Sequence, residues 1–83
     1  MKITVKYFAS IREAIGTGVE VRETQANTLG ALRDELIALG GDHAESLARG
    51  RAVRLALNQI MANEAEALTE GAEVAFFPPV TGG

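Results

Sequence analysis

The sequence predicts a single α+β domain in which one main helix packs on one face of a mixed sheet. Three observations carry this expectation. Several stretches alternate apolar and polar residues with the period of two of a strand. One stretch, beginning at Thr28, carries leucines at helical spacing instead. The chain has 83 residues, enough for one domain and no second. A single helix buries one face of a sheet and leaves the other to solvent or a partner.

Residues Lys2 to Phe8 form the first strand. Ile3, Val5 and Tyr7 make one row; Lys2, Thr4 and Lys6 make the other, which an aromatic, Phe8, joins. Ser10-Ile11-Arg12-Glu13 has the spacing of a capping box, with the Ser10 hydroxyl and the Glu13 carboxylate each meeting the other's backbone N–H. It predicts a short helix with Ile11, Ala14 and Ile15 on one face and Gly16 as its stop. Val19 to Thr24 alternates again, with Val19 and Val21 expected inward and Glu20 and Arg22 outward. Thr28 is a good N-cap for the main helix. Leu29, Leu32, Leu36 and Leu39 form its apolar stripe, Ile37 lies near it, and Arg33, Asp34 and Glu35 fall on the solvated side. Gly40-Gly41 ends it.

The polar segment Asp42 to Arg51 admits a helical turn through Ala44, Leu47 and Ala48. Val53, Leu55 and Leu57 alternate with Arg54 and Ala56 as a third strand. Asn58-Gln59-Ile60-Met61 reads as a turn with a brief strand. Ala67 to Gly71 closes on a turn glycine. Glu73 to Phe77 is the last strand, with Val74 and Phe76 on one face and Ala75 and Phe77 on the other. Pro78-Pro79 stops it, because neither residue can donate to a ladder. Chain order and size fit a β-grasp arrangement, while periodicity alone leaves a ferredoxin-like alternative open. The expected organisation is a β-grasp domain over residues 1–79 and a flexible tail over 80–83.

Composition narrows the chemistry. The chain contains no cysteine and one histidine. That excludes disulfides, thiolate metal sites and a cysteine nucleophile, and it suits a reducing cytoplasm. His43 alone cannot complete a catalytic triad, and a single exposed histidine is ordinarily solvated. Glu64, Glu66, Glu70 and Glu73 are expected to be solubilising charges. No metal-ligand spacing, dinucleotide fingerprint or phosphate loop occurs, so no bound cofactor is expected. The net charge of -3 argues against nucleic acid as a partner. No stretch reads as a signal peptide or a membrane span.

Chemistry is expected at the C-terminus. Val80, Thr81, Gly82 and Gly83 follow a double proline that favours a stiff, extended chain. These four residues reach about 13 Å at full extension. Two glycines without side chains suit a narrow channel and any φ. The terminal carboxylate is ionised at neutral pH and a poor electrophile. It must first be activated, for instance as an acyl-adenylate, before it can accept sulfur. Strand parity places Phe8 and Phe77 away from the helix, next to the tail. Two outward aromatics there form a candidate docking patch.

Glu73-Val74-Ala75-Phe76-Phe77-Pro78-Pro79-Val80-Thr81-Gly82-Gly83 closely resembles the C-terminus of the MoaD family, the small subunits of molybdopterin synthase. Tyr7-Phe8-Ala9 followed by Arg12-Glu13 resembles that family's first strand and short helix, and Leu29 through Leu36 and Asn58-Gln59 match as well. The similarity spans nearly the whole chain and is weakest over Gly41 to Arg51. Ala72 stands where an acid is common in the family. Gly-Gly alone would also fit the thiamine sulfur carrier ThiS or a ubiquitin-like modifier; the preceding Phe-Phe-Pro-Pro-Val-Thr points to the molybdenum-cofactor branch. The resemblance implies a ubiquitin-like fold and a cytoplasmic sulfur carrier that is not catalytic alone. Gly83 would be adenylated with ATP by a MoeB-type enzyme and thiocarboxylated by a sulfur donor protein. The tail would then enter a MoaE-type large subunit, in a heterotetramer of two small and two large subunits, and give sulfur to cyclic pyranopterin monophosphate. Phe8, Met61 and Phe77, with Pro78 and Pro79 at the tail root, would meet the partner.

Overall fold

The computed structural model describes residues 1–79. Along the chain run β1 (Lys2–Tyr7), α1 (Ala9–Ile15), β2 (Val19–Glu23), α2 (Leu29–Ile37), α3 (Gly41–Leu47), β3 (Arg54–Leu57), β4 (Ile60–Ala62) and β5 (Glu73–Phe77). The strands form one sheet in the order β2-β1-β5-β3-β4. β1 and β5 lie parallel at its centre, and the other neighbours are antiparallel. The parallel centre selects the ubiquitin-like β-grasp over the ferredoxin-like alternative, whose sheet is antiparallel throughout.

Alternation decides which side of the sheet is dry. Ile3, Val5, Tyr7, Val74, Phe76 and Leu55 point to one face and are buried against Leu29, Leu32 and Leu36 of α2, Leu47 of α3 and Ile11 of α1. Each of the larger side chains contributes about 1.5–3 kcal/mol by leaving water. The helical layer is thus richer than one main helix. The segment from Asp42, expected to hold at most a turn, folds as α3, and its Leu47 is fully buried.

Thr28 caps α2 as expected, its hydroxyl accepting from the Ala31 N–H at 3.1 Å. The loop before β5 fills the other first-turn donors: Leu29 N–H meets the Glu66 carbonyl at 3.0 Å and Gly30 N–H the Glu64 carbonyl at 2.9 Å. Gly30 permits that approach, since a Cβ there would lie 3.2 Å from the same carbonyl oxygen and 2.9 Å from Glu64 Oε1. The helix stops at Ile37, where Leu39 and Gly40 donate back to Leu36 and Ile37 in a tightened turn. Leu39 therefore leaves the apolar stripe and is exposed. Gly40 and Gly41, both at positive φ, redirect the chain into α3.

Three further expectations are corrected. Ser10 does not cap α1, because the helix begins at Ala9 with Phe8 at the N-cap and no side-chain cap. The stop at Gly16 holds: it is left-handed, and its N–H meets the Arg12 carbonyl. β2 has the opposite parity to the one its valines suggest. Val5 pairs with Glu20 and Ile3 with Arg22, so Glu20 and Arg22 turn toward the helices and Val19 and Val21 toward solvent. The inward polar groups are satisfied: Tyr7 Oη donates to Glu20 at 2.7 Å, and Arg22 Nε donates to Glu35 at 2.7 Å. Arg33, expected on the solvated side of α2, is buried with its guanidinium fully engaged. Ala72, where the resemblance would allow an acid, belongs to the core cluster.

Candidate functional site

β5 is paired on both sides, with β1 as far as Phe76 and with β3 up to its last residue, Phe77, which lies opposite Arg54. Phe8 N–H meets the Phe76 carbonyl at 3.1 Å and extends the β1–β5 ladder past the end of β1. The chain that leaves at Pro78 thus departs from the best-held strand of the sheet. Prolines there end the ladder because they lack a donor. Pro78 and Pro79 are half-buried along a shallow groove of about 240 Å³ that Ser10, Ile11, Ser46 and Arg51 also line. That volume is below the roughly 300–1,000 Å³ of a small-molecule pocket. Val80, Thr81, Gly82 and Gly83, where the chemistry is expected, lie outside the described residues.

The outward face beside this exit carries the aromatics where strand parity put them. Phe8 is 45% exposed, and its ring meets that of Phe77 edge-on, centroids 6.2 Å apart. Such T-shaped pairing holds both rings in place while an edge and a face stay available. Met61 stands on the same face, opposite Ala56, and is 54% exposed. Ala56 and Ala75, paired across β3 and β5, form a low floor between Met61 and the aromatic pair. The structure therefore brings Phe8, Met61 and Phe77 onto one face, with Pro78 and Pro79 at its edge.

Sequence reasoning missed two members of this face. Val19 and Val21 are 52% and 63% exposed, and through the β1–β2 register they lie beside Lys6 and Thr4. Their signal was indirect: Tyr7 and Val5 are fixed inward, and the even-numbered residues of β2 face them. In the middle of the face Lys6 Nζ and Glu73 Oε1 neutralise one another at 3.3 Å, so an approaching apolar surface would meet a paired charge and no lone one.

Among the described residues the polar groups of the helical side are tied into the fold. His43 is not free in solvent: its Nε2 lies 3.1 Å from Glu20 Oε1 and its ring sits edge-on to Tyr7, centroids 5.9 Å apart. Burial raises the Glu20 carboxyl, but the hydrogen bonds from Tyr7 and His43 and the charge of Arg22 outweigh it and hold the group below its ordinary value. Burial, then the Glu20 hydrogen bond, push the Tyr7 phenol far up, so it remains a donor. Glu64, expected to be merely solubilising, is an ion-pair partner of both Arg33 and Arg49. Among the described residues no group of three His, Cys, Asp or Glu could hold a metal ion. What stands out is a mount: an apolar face, an aromatic pair at its rim, and a strand paired on both sides that ends beside them.

Known proteins share this architecture. The structure of SAMP1 from Haloferax volcanii superposes with a TM-score of 0.79 at 26% identity, covering all of both chains. A chain in the complex of subunits 1 and 2 of the molybdopterin-converting factor from Helicobacter pylori 26695 gives 0.69 at 27% identity, again with full coverage. The molybdopterin synthase sulfur carrier subunit of Escherichia coli (strain K12) is 41% identical over 81 residues, 98% of this chain and 99% of that one. The model of the ThiS family matches residues 5–83, from the first strand through the terminal glycines, and with a full-length relative at that identity the chain belongs to the ThiS family.

Proposed function

We propose that this chain is the sulfur carrier subunit of a cytoplasmic molybdopterin synthase. The Gly83 carboxylate attacks the α-phosphorus of ATP on an adenylating enzyme of the MoeB type, and pyrophosphate leaves. Hydrosulfide delivered by a donor protein then attacks the acyl carbon, AMP leaves, and a thiocarboxylate remains. Loaded in this way, the tail enters a large subunit of the MoaE type, in an assembly of two small and two large subunits. It gives its sulfur to cyclic pyranopterin monophosphate, with catalysis supplied by the large subunit. The chain itself binds no cofactor; ATP belongs to the activating enzyme.

The observation that carries this reading is the junction at Phe77-Pro78. A strand held on both sides ends beside the Phe8–Phe77 pair, whose Phe8 ring is exposed, and the sequence after the strand is Pro-Pro-Val-Thr-Gly-Gly. That junction suits a handle whose terminus works inside another protein. The full-length identity with the Escherichia coli carrier and the Helicobacter pylori two-subunit complex favour the molybdopterin branch.

Intact mass spectrometry tests it. After incubation with ATP, the activating enzyme and a sulfur donor, the chain is expected to gain the mass difference of sulfur for oxygen. Supplied with the large subunit and the pterin precursor, it is then expected to yield molybdopterin and no thiazole. Deleting Gly83 is expected to abolish the mass change while leaving the unfolding curve intact. An unchanged mass under conditions that load a known carrier would overturn the reading, and an amide-linked conjugate would assign the chain to the protein modifiers.

A further inference from the structure

The cations of this chain divide by side. Arg22 pairs with Glu35, Arg33 and Arg49 with Glu64, Arg49 also with Asp34, and Lys6 with Glu73. Among the described residues no carboxylate lies within ion-pair distance of Lys2, Arg12, Arg51 or Arg54. The three arginines stand toward the tail-root end of the sheet, and Lys2, at the start of β1, stands at the other end. Arg12 shares a depression with Phe8 and Val19 that no acid lines. Its side chain lies over the start of β2, where a Cβ on Gly18 would come within 3.2 Å of Arg12 Nε. Arg54 is exposed and paired in register with Phe77. Arg51 lines the groove of Pro78 and Pro79, but Asp42 and Glu45 line the adjoining stretch and offset its field. The acids without a cation partner, Glu13, Asp42, Glu45, Glu66 and Glu70, lie on α1, on α3 and in the β4–β5 loop. A chain of net charge -3 therefore shows a positive rim on its apolar face.

We propose that Arg12 and Arg54 bracket the Phe8–Phe77 pair as a cationic clamp, and that the partner docked there has an apolar centre with carboxylates at its rim. The proposal rests on the sulfur-carrier reading above, and the partner is the large subunit. Rim charges of this kind steer encounter: they raise the association rate and fix orientation, and they change dissociation little.

The test is association of the full chain with the large subunit from the same organism, measured by stopped flow across a salt series. Arg12→Glu and Arg54→Glu are each expected to slow association on the order of tenfold at low salt. The deficit should vanish near 1 M salt, where screening reaches about 3 Å. Glu66→Lys, on the loop, is expected to leave the rate within about twofold of wild type. Thermal unfolding of each variant monitors folding, and Arg12→Gln with Arg54→Gln replaces a reversal that unfolds, with a smaller loss expected. Association indifferent to both reversals at low salt, or a loss that persists at high salt, overturns the clamp and leaves the carrier reading standing. A wild-type chain that does not bind the large subunit overturns both.

Discussion

Arg33 does the work of several residues. It is 4% exposed, and its Nε donates to the Leu47 carbonyl at 2.8 Å. Its Nη2 donates to the Ala48 and Arg51 carbonyls, and its Nη1 pairs with Glu64 at 3.0 Å. One guanidinium thus closes the end of α3, the loop after it and the loop before β5 around α2. Replacing it with methionine takes a donor from three carbonyls, that of buried Leu47 among them, and leaves Glu64 with Arg49 alone. A buried carbonyl left without its donor typically costs about 1–3 kcal/mol, a large share of the ~4–12 kcal/mol expected for a domain of this size. Arg33→Met is therefore expected to lose about that much stability in urea titration, and Arg33→Lys to recover less than half of the loss, since an ammonium cannot reproduce the fork. Stability within about 0.5 kcal/mol of wild type, as at an ordinary surface site, would contradict this role. The helical wheel of α2 put Arg33 off the leucine stripe beside Asp34 and Glu35, and no local pattern distinguishes the three. What buries Arg33 is the arrival of α3, and that is a tertiary event. Phe8 was legible for the opposite reason: its side of the sheet follows from Tyr7 by adjacency alone.

At the scale of elements, β5 and its exit were read residue for residue, because alternation and a double proline are local. β2 was read with its faces exchanged. Hydrophobicity assigned its valines inward, but register is set by pairing, and Glu20 and Arg22 face the helices because Tyr7, His43 and Glu35 wait there. The valines left outside extend the docking face toward the sheet edge. That edge is partly blunted, since the Thr17 hydroxyl donates to the Val19 carbonyl at 3.1 Å. The β3–β4 hairpin turns on two residues, Asn58 at φ 51° and Gln59 at φ 70°. Two left-handed residues in a two-residue loop make a type I′ turn, for which Asn-Gly is the preferred pair. Asn58 also ties the hairpin to β5, its Oδ1 accepting from the Glu73 N–H at 3.0 Å. Gln59 makes no side-chain hydrogen bond among the described residues and carries only the cost of its Cβ. Gln59→Gly is expected to stabilise the domain by about 0.5–1 kcal/mol, raising the thermal midpoint by several degrees for a chain of this length. A fall in the midpoint would show that the Gln59 side chain packs against something that matters more than its backbone conformation.

For the whole molecule, the two faces of the sheet respond to different conditions. The carboxylates held below their ordinary value, Glu20, Glu35 and Glu64, all tie the helical layer down. Burial raises Glu35, but hydrogen bonds from Arg22 and Thr24 and the Arg22 charge prevail; Glu64 is lowered first by its hydrogen bond from Arg49, against burial, and then by Arg33. A folded-state value below the unfolded one means that the unfolded chain takes up protons first on acidification. The stability these groups contribute is complete above the ordinary value of 4.5 and is lost as pH falls through their folded values. Urea midpoints are therefore expected to stay level from about pH 7 to about pH 5, then to fall steadily below that. Glu35→Gln should be less stable at neutral pH and show a shallower acid limb, because one of the three titrations is gone. Since these groups anchor α2, α3 and β2 to one another and none lies on the docking face, their titration acts on the core. Binding to the large subunit is then expected to disappear together with the cooperative unfolding signal. Loss of binding at a pH where the fold is still intact would mean that a group outside these three sets the limit instead.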